Sequence, residues 1–202
     1  MKLTHIIPFI TLATAVYAAP QSFDFKDPKG VNNAIFKLDA PLESINGSAN
    51  GITGTVSFDP ENPGATTGKI VVTTASLTVP NPMQNTHMHS DKWLDAAQYP
   101  EITFEAKSLA NVKTDGNVTT ADATGTFTLH GVAKEITVPV KLTYLADKLS
   151  ARVPNLKGDL LVIRANFNIN REDFNIQKGQ FEDKVSPTID LSLSIAGASI
   201  KQ

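Results

Sequence analysis

Ala123–Val140, reading ATGTFTLHGVAKEITVPV, decides the fold class of this chain. Phe127 and Leu129 fall on one face of an extended segment, His130-Gly131 supplies a tight turn, and Ile136, Val138 and Val140 then alternate with Thr137 and Pro139. A period of two sends successive side chains to opposite faces of a strand, so each arm has one apolar face. Two such arms around a Gly-containing turn read as a β-hairpin laid on a core.

The pattern extends in both directions. Ile102, Phe104 and Ala106 alternate with Thr103, Glu105 and Lys107; Ile163, Ala165, Phe167 and Ile169 with Arg164, Asn166 and Asn168; Ile189, Leu191, Leu193 and Ile195 with Asp190, Ser192 and Ser194. Turn residues punctuate the runs at Asn46-Gly47, Asn50-Gly51, Asp59-Pro60, Pro63-Gly64, Asp115-Gly116-Asn117 and Lys157-Gly158. Strands are expected at about 32–39, 44–48, 51–58, 68–79, 102–111, 118–130, 134–145, 160–170 and 187–197, an all-β sandwich or barrel. Ser90–Tyr99, SDKWLDAAQY, breaks the alternation: an N-cap serine, an acidic first turn, Trp93 and Leu94 on one face and Pro100 as a stop predict a short helix near 90–98. Arg171–Pro187 is charged and Gly-containing, which predicts a long hairpin loop in which Arg171 and Asp173 pair.

The N-terminus differs in kind. Lys2, an apolar run from Ile6 to Val16 and the small residues Ala18 and Ala19 form the pattern of a signal peptide over 1–19, with 20–202 as one domain. The run is shorter than the ~20 residues that cross a bilayer, so the chain is expected to be secreted or periplasmic and not membrane-spanning. Absence of cysteine removes disulfides, a thiol nucleophile and thiolate metal ligands. A net charge of −2 without a basic cluster argues against a nucleic-acid partner. Asn46-Gly47-Ser48 and Asn117-Val118-Thr119 match the glycan acceptor pattern but read first as turn residues.

Two stretches carry a family resemblance. In Asn85–Phe104 the residues His87, Met88, Ser90, Trp93, Leu94, Asp95, Tyr99, Pro100, Ile102 and Phe104, followed by Leu129-His130-Gly131-Val132, Lys134 and Val138-Pro139-Val140, resemble signature segments of the YceI-like family of secreted lipid-binding proteins. Ile169–Phe174 is similar to that family's Arg-x-Asp-Phe-Gly segment, with Asn175 in place of the glycine. Gly30 and Val31 stand where the family's early histidine and serine would be, and Asn85 replaces its usual aspartate. The resemblance implies an eight-stranded antiparallel, lipocalin-like barrel enclosing a polyprenyl chain, an isoprenoid quinone or a similar amphiphile. A barrel of that size is either filled by its own side chains or holds one small ligand.

By face, Phe58, Ile70, Phe104, Phe127, Leu129, Val138, Val140, Phe167 and Leu191 are the candidate inward lining, and a dry, interdigitated core is the alternative. Trp93 is either an apolar lid or part of a plug at one barrel end. His87 and His130 are head-group candidates; hydrogen bonding to loop backbone is the competing role for both. His87, His89 and Asp91, on an extended stretch, would make a transition-metal site. The function expected is a non-enzymatic carrier of an isoprenoid lipid without a cofactor; a metal-dependent hydrolase using those three residues and a filled-barrel interaction module are the rivals.

Overall fold

Each alternating run forms a strand in the computed structural model, which describes residues 20–201. The expected signal peptide lies outside the described residues. Eleven strand segments follow one another: β1 (Gln21–Asp24), β2 (Asn33–Asp39), β3 (Ser44–Ala49), β4 (Ile52–Phe58), β5 (Thr67–Thr73), β6 (Leu77–Thr78), β7 (Glu101–Asp115), β8 (Val118–Leu129), β9 (Val132–Leu145), β10 (Gly158–Asn170) and β11 (Thr188–Ile200). Two short helices, α1 (Pro82–His89) and α2 (Leu149–Arg152), interrupt them.

The eleven segments make eight staves of a closed antiparallel barrel, because β1/β2, β3/β4 and β5/β6 are each one stave with a broken ladder. β4 pairs with β1 and β5, while β3 pairs with β2 and β6. From β5 the sheet runs through β7, β8, β9 and β10 to β11. The ring closes where β11 meets both halves of the first stave, Asp190–Ser194 against Asn33–Lys37 and Ala198 against Asp24. Closure gives each stave a neighbour on both sides.

The breaks have local causes. Between β1 and β2 the Asp27 carboxylate accepts from the N–H groups of Lys29, Val31 and Asn32, curling the chain off the ladder. Asn32, 1% exposed, replaces the missing rung: its side-chain amide donates to the carbonyl of Ala196 and accepts from the Ala196 N–H, as a strand neighbour would. Arg152 on α2 ties the Asp27 carboxylate and the Asn32 side-chain oxygen together, each at 3.1 Å. The second stave breaks at Asn50-Gly51, and the third at the 3-10 turn Thr74–Ser76, where the Thr74 hydroxyl donates to the Tyr99 carbonyl.

The turns confirm part of the sequence reading and revise part of it. His130 and Gly131 have φ of 50° and 71°, the two positive values that a type I′ hairpin requires between Leu129 and Val132. Gly116, at φ 58°, opens the two-residue loop joining β7 to β8. Asn46-Gly47 is not a turn: it lies within β3, with Gly47 opposite Phe36, and the hairpin closes instead at Ala40–Glu43. A Cβ on Gly47 would sit 2.1 Å from the Phe36 ring, so glycine there makes room for that aromatic.

The predicted helix over 90–98 is displaced. The helix is Pro82–His89, started by Asn81, whose side chain accepts from the N–H groups of Met83 and Gln84, with Pro82 pre-set in the first turn. Ser90 sits at its C-terminal end, its hydroxyl donating to the His87 carbonyl, and 91–99 continues as turns with Asp95 at φ 43°. The loop after β10 is also built differently from expectation. Arg171 is 1% exposed and does not pair with Asp173, whose partner is Lys134 at 3.3 Å. Instead the Arg171 guanidinium donates to the carbonyls of Ser186, Ile176, Gln177, Gln180 and Val185. Asn175, at the position of the family's glycine, is left-handed at φ 59°, a conformation that asparagine tolerates better than most side chains.

Candidate functional site

The barrel interior is packed at one end and hollow at the other. Phe23, Phe25, Phe58, Leu161 and Ile195, none more than 1% exposed, fill the floor. The Phe23 ring meets Phe58 edge-on at 6.4 Å and Tyr144 at 6.3 Å. Above this floor the three broken staves set β2, β3 and β6 as a separate wall, and an apolar cavity of about 410 Å³ lies within it. Phe36, Leu38, Ile45, Val79, Phe127 and Leu129 line its sides. A second space of about 140 Å³, between this cavity and the floor, is lined by Ile70, Phe104, Val138, Val140 and Phe167 among others.

The mouth is made by three irregular segments. The hairpin after β2 contributes Glu43, α1 contributes Gln84, His87 and Met88, and the loop after β10 contributes Phe181, Lys184 and Val185. They are tied together: Leu42 N–H donates to the Asp183 carbonyl at 2.9 Å, and the Gln84 amide donates to the Glu43 carboxylate at 3.4 Å. Trp93 and Leu94, brought inward by the turns after α1, complete the apolar rim, with Trp93 5.9 Å from Phe181. The Gln177 amide donates to the Lys92 carbonyl, linking the loop to those turns.

Arg171 borders the cavity yet offers nothing to a ligand. Its five N–H groups are matched by five backbone carbonyls, so it acts as the strut of the loop. Burial pushes its pKa down while the charges of Glu172 and Glu182 oppose that shift, and guanidinium stays protonated. Among the described residues Lys184 makes no ion pair, which leaves its ammonium available at the rim. Glu43, Gln84, His87 and Lys184 are therefore the polar groups that a head group would meet.

The candidate residues fall into groups that faces alone do not separate. Trp93, Phe127, Leu129 and Leu191 line the outer cavity, with His87 at its mouth. Ile70, Phe104, Val138, Val140, Phe167 and, again, Leu191 line the inner space. Phe58 points inward but is a floor residue, outside both cavity walls. Trp93 is half-buried, because it borders an open mouth. His130 is held away from the cavity: its Nδ1 lies 3.2 Å from the Phe174 carbonyl and its ring packs edge-on against Tyr99 at 4.7 Å.

The proposed metal triad does not assemble. His87 and His89 lie on a helix, where a separation of two residues turns side chains about 200° apart. Among the described residues no three His, Cys, Asp or Glu side chains are grouped to hold a metal ion. Asn85 also has a structural task, accepting from the Val79 N–H at 3.1 Å.

Sequence reasoning missed Phe36, Leu38, Ile45, Val79, Phe181 and Val185 as lining. The alternation of Ala34, Phe36 and Leu38 with Ile35, Lys37 and Asp39 held the signal for the first two. Val79, Phe181 and Val185 lie in irregular chain, where no periodicity marks a face. Among the described residues no helix is long and apolar enough to cross a membrane.

The chain is 33% identical over 201 residues to a UPF0312 protein of Pseudomonas savastanoi pv. phaseolicola, covering 95% of this chain and 96% of that protein. It is 32% identical over 148 residues to Protein YceI of Escherichia coli O17:K52:H18, covering 73% of this chain and 71% of that protein. A polyisoprenoid-binding domain from Saccharophagus degradans superposes with a TM-score of 0.63 at 13% identity, over 89% of this chain and 99% of that domain, a likeness of fold. The model of the YceI-like domain matches residues 29–196, from the break in the first stave almost to the end of β11, and the chain belongs to that family.

Proposed function

We propose that this protein binds an amphiphile with an isoprenoid tail, the tail inside the barrel and the head at the Glu43, Gln84, His87 and Lys184 rim, and that it is an exported carrier rather than an enzyme. The observation that carries the reading is the apolar cavity of about 410 Å³, open at a mouth edged by polar groups. Its size falls in the range of small-molecule sites. The related Saccharophagus degradans domain, described as polyisoprenoid-binding, and the YceI-like family membership give independent support.

The energetics suit a carrier. Burying apolar tail is worth ~0.8 kcal/mol per CH₂, and part of that is returned as the tail loses its freedom. The tail supplies affinity without demanding directional contacts, while the rim groups choose among heads. Of the ionisable groups bordering the cavity, Glu43, His87 and Lys184 stand at the mouth, and Arg171 has every donor committed to backbone. This arrangement supports holding and releasing a lipid over transforming it. Export is supported by the pattern of residues 1–19.

Native mass spectrometry of the protein recovered from its own host, followed by organic extraction, tests the proposal. A stoichiometric prenyl lipid is the expected result. A clean unliganded mass that persists after incubation with quinones and polyprenyl alcohols would overturn it in favour of an unliganded interaction module.

A further inference from the structure

The hollow part of the barrel consists of two adjoining chambers, and the residues that border both mark the neck a tail would cross. Ala34, Val72, Ile102 and Leu191 line both the outer chamber of about 410 Å³ and the inner one of about 140 Å³. An apolar cavity of ~150 Å³ holds benzene, which sets a scale of about 25 Å³ per carbon. On that scale the outer chamber takes about sixteen carbons and the inner about five or six. Since an isoprene unit has five carbons, the chambers correspond to three units and one.

We propose that the barrel gauges tail length, holding a four-unit, C20-class isoprenoid with three units in the outer chamber and the terminal unit passed through the neck into the inner one; this rests on the carrier reading above. Small side chains keep the inner chamber open: Ala106, Ala123 and Ala165 are on its wall. Below it Val56, Leu142 and Ile163, which belong to the floor cluster, close the path. A fifth unit finds no further room and stays at the mouth, partly in water. Its addition therefore contributes little affinity, whereas the fourth unit is taken up by the apolar inner chamber.

The test uses prenyl alcohols of C10, C15, C20, C30 and C40, which share one hydroxyl head, delivered from cyclodextrin and followed by the fluorescence of Trp93. Trp93 is the single tryptophan of the chain and borders the outer chamber. Burying the fourth unit is expected to lower Kd ~30-fold between C15 and C20, after allowance for lost tail freedom. From C20 to C40, Kd should change less than about threefold. A plateau already at C15, or a continued fall to C40, would overturn the gauge while leaving lipid binding intact. No binding at any length would instead remove the carrier reading itself.

Two variants address the chambers separately. Ala165→Leu fills the inner chamber and Ala34→Leu obstructs the neck; either should reduce the gain from C15 to C20 to less than about threefold. Retention of the C20 gain in whichever variant keeps the wild-type circular dichroism spectrum would overturn the proposal.

Discussion

The floor and the mouth of this barrel differ in what fills them and in what ties their backbone. The floor is a dry cluster in which Phe23, Phe25, Phe58, Leu161 and Ile195 exclude water almost completely. The mouth is held by polar contacts to irregular backbone: Arg171 to five carbonyls, Asn81 to the start of α1, and His130 beside Phe174. Apolar packing is most favourable when no space remains, so a barrel end stabilised by it is filled. Hydrogen bonds to backbone fix a loop's path without filling the volume beneath it. That contrast is what allows a cavity to exist in a barrel whose staves are otherwise evenly apolar inside.

The sharpest way to break the contrast is at Arg171. Arg171→Ala leaves five buried or half-buried carbonyls without partners, at 1–3 kcal/mol for each that water cannot reach, and should cost about 5 kcal/mol in urea unfolding. Arg171→Lys, with three donors and no planar fork, should recover only part of that. At the floor, Phe58→Ala should cost about 4 kcal/mol, the usual range for emptying a packed aromatic site. Leu191→Ala, at the neck, should cost only about 1–2 kcal/mol because its side chain already borders empty space. Equal losses at Phe58 and Leu191 would mean that the interior is uniformly packed.

Two buried carboxylates make the floor side sensitive to pH. Asp159 is 0% exposed and is bound by the Tyr144 hydroxyl at 2.8 Å, the Asp147 N–H at 2.8 Å and Lys201 at 2.8 Å. Burial raises its pKa, but those partners outweigh it and hold the carboxyl below its ordinary 3.8. Asp27 behaves alike: burial is opposed by three N–H groups and Arg152, and its pKa is lowered. A depressed carboxylate stabilises the folded state fully above its unfolded pKa, and the contribution is lost as pH falls through the folded value. Unfolding free energy should therefore hold steady near neutrality and fall as pH drops below about 4. Asp159→Asn should flatten part of that acid limb and lower stability at pH 7 by about 2 kcal/mol. The smallest effect is expected at the exposed Lys134–Asp173 pair, where Asp173→Ala should change unfolding free energy by less than about 0.5 kcal/mol.

Much of the barrel was legible because its long staves are amphipathic with period two. The runs through Phe104, Phe127, Val138, Phe167 and Leu191 state which residues face inward, and all five border the hollow part. β1 escaped notice because QSFD is four residues long and buries only Phe23, too little to show alternation. The helix was placed too late because Ser90-Asp91 and Asn81-Pro82 both look like starts; Asn81 prevails by capping two N–H groups, while Ser90 closes the last turn. Arg171 reads as a partner of Asp173 because sequence shows its acidic neighbours and not the five carbonyls that the loop folds around it.

The long staves, their inward faces and the tight turn at His130-Gly131 are local properties, because each depends on neighbours a few residues away. Height along the barrel axis is not local and follows from how the staves align. Phe58 and Phe127 carry the same inward signal, yet stagger between staves puts one in the floor and the other beside the cavity. The cavity itself is a difference between the volume that eight staves enclose and the volume that their side chains fill, and that difference exists only once the ring has closed through β11.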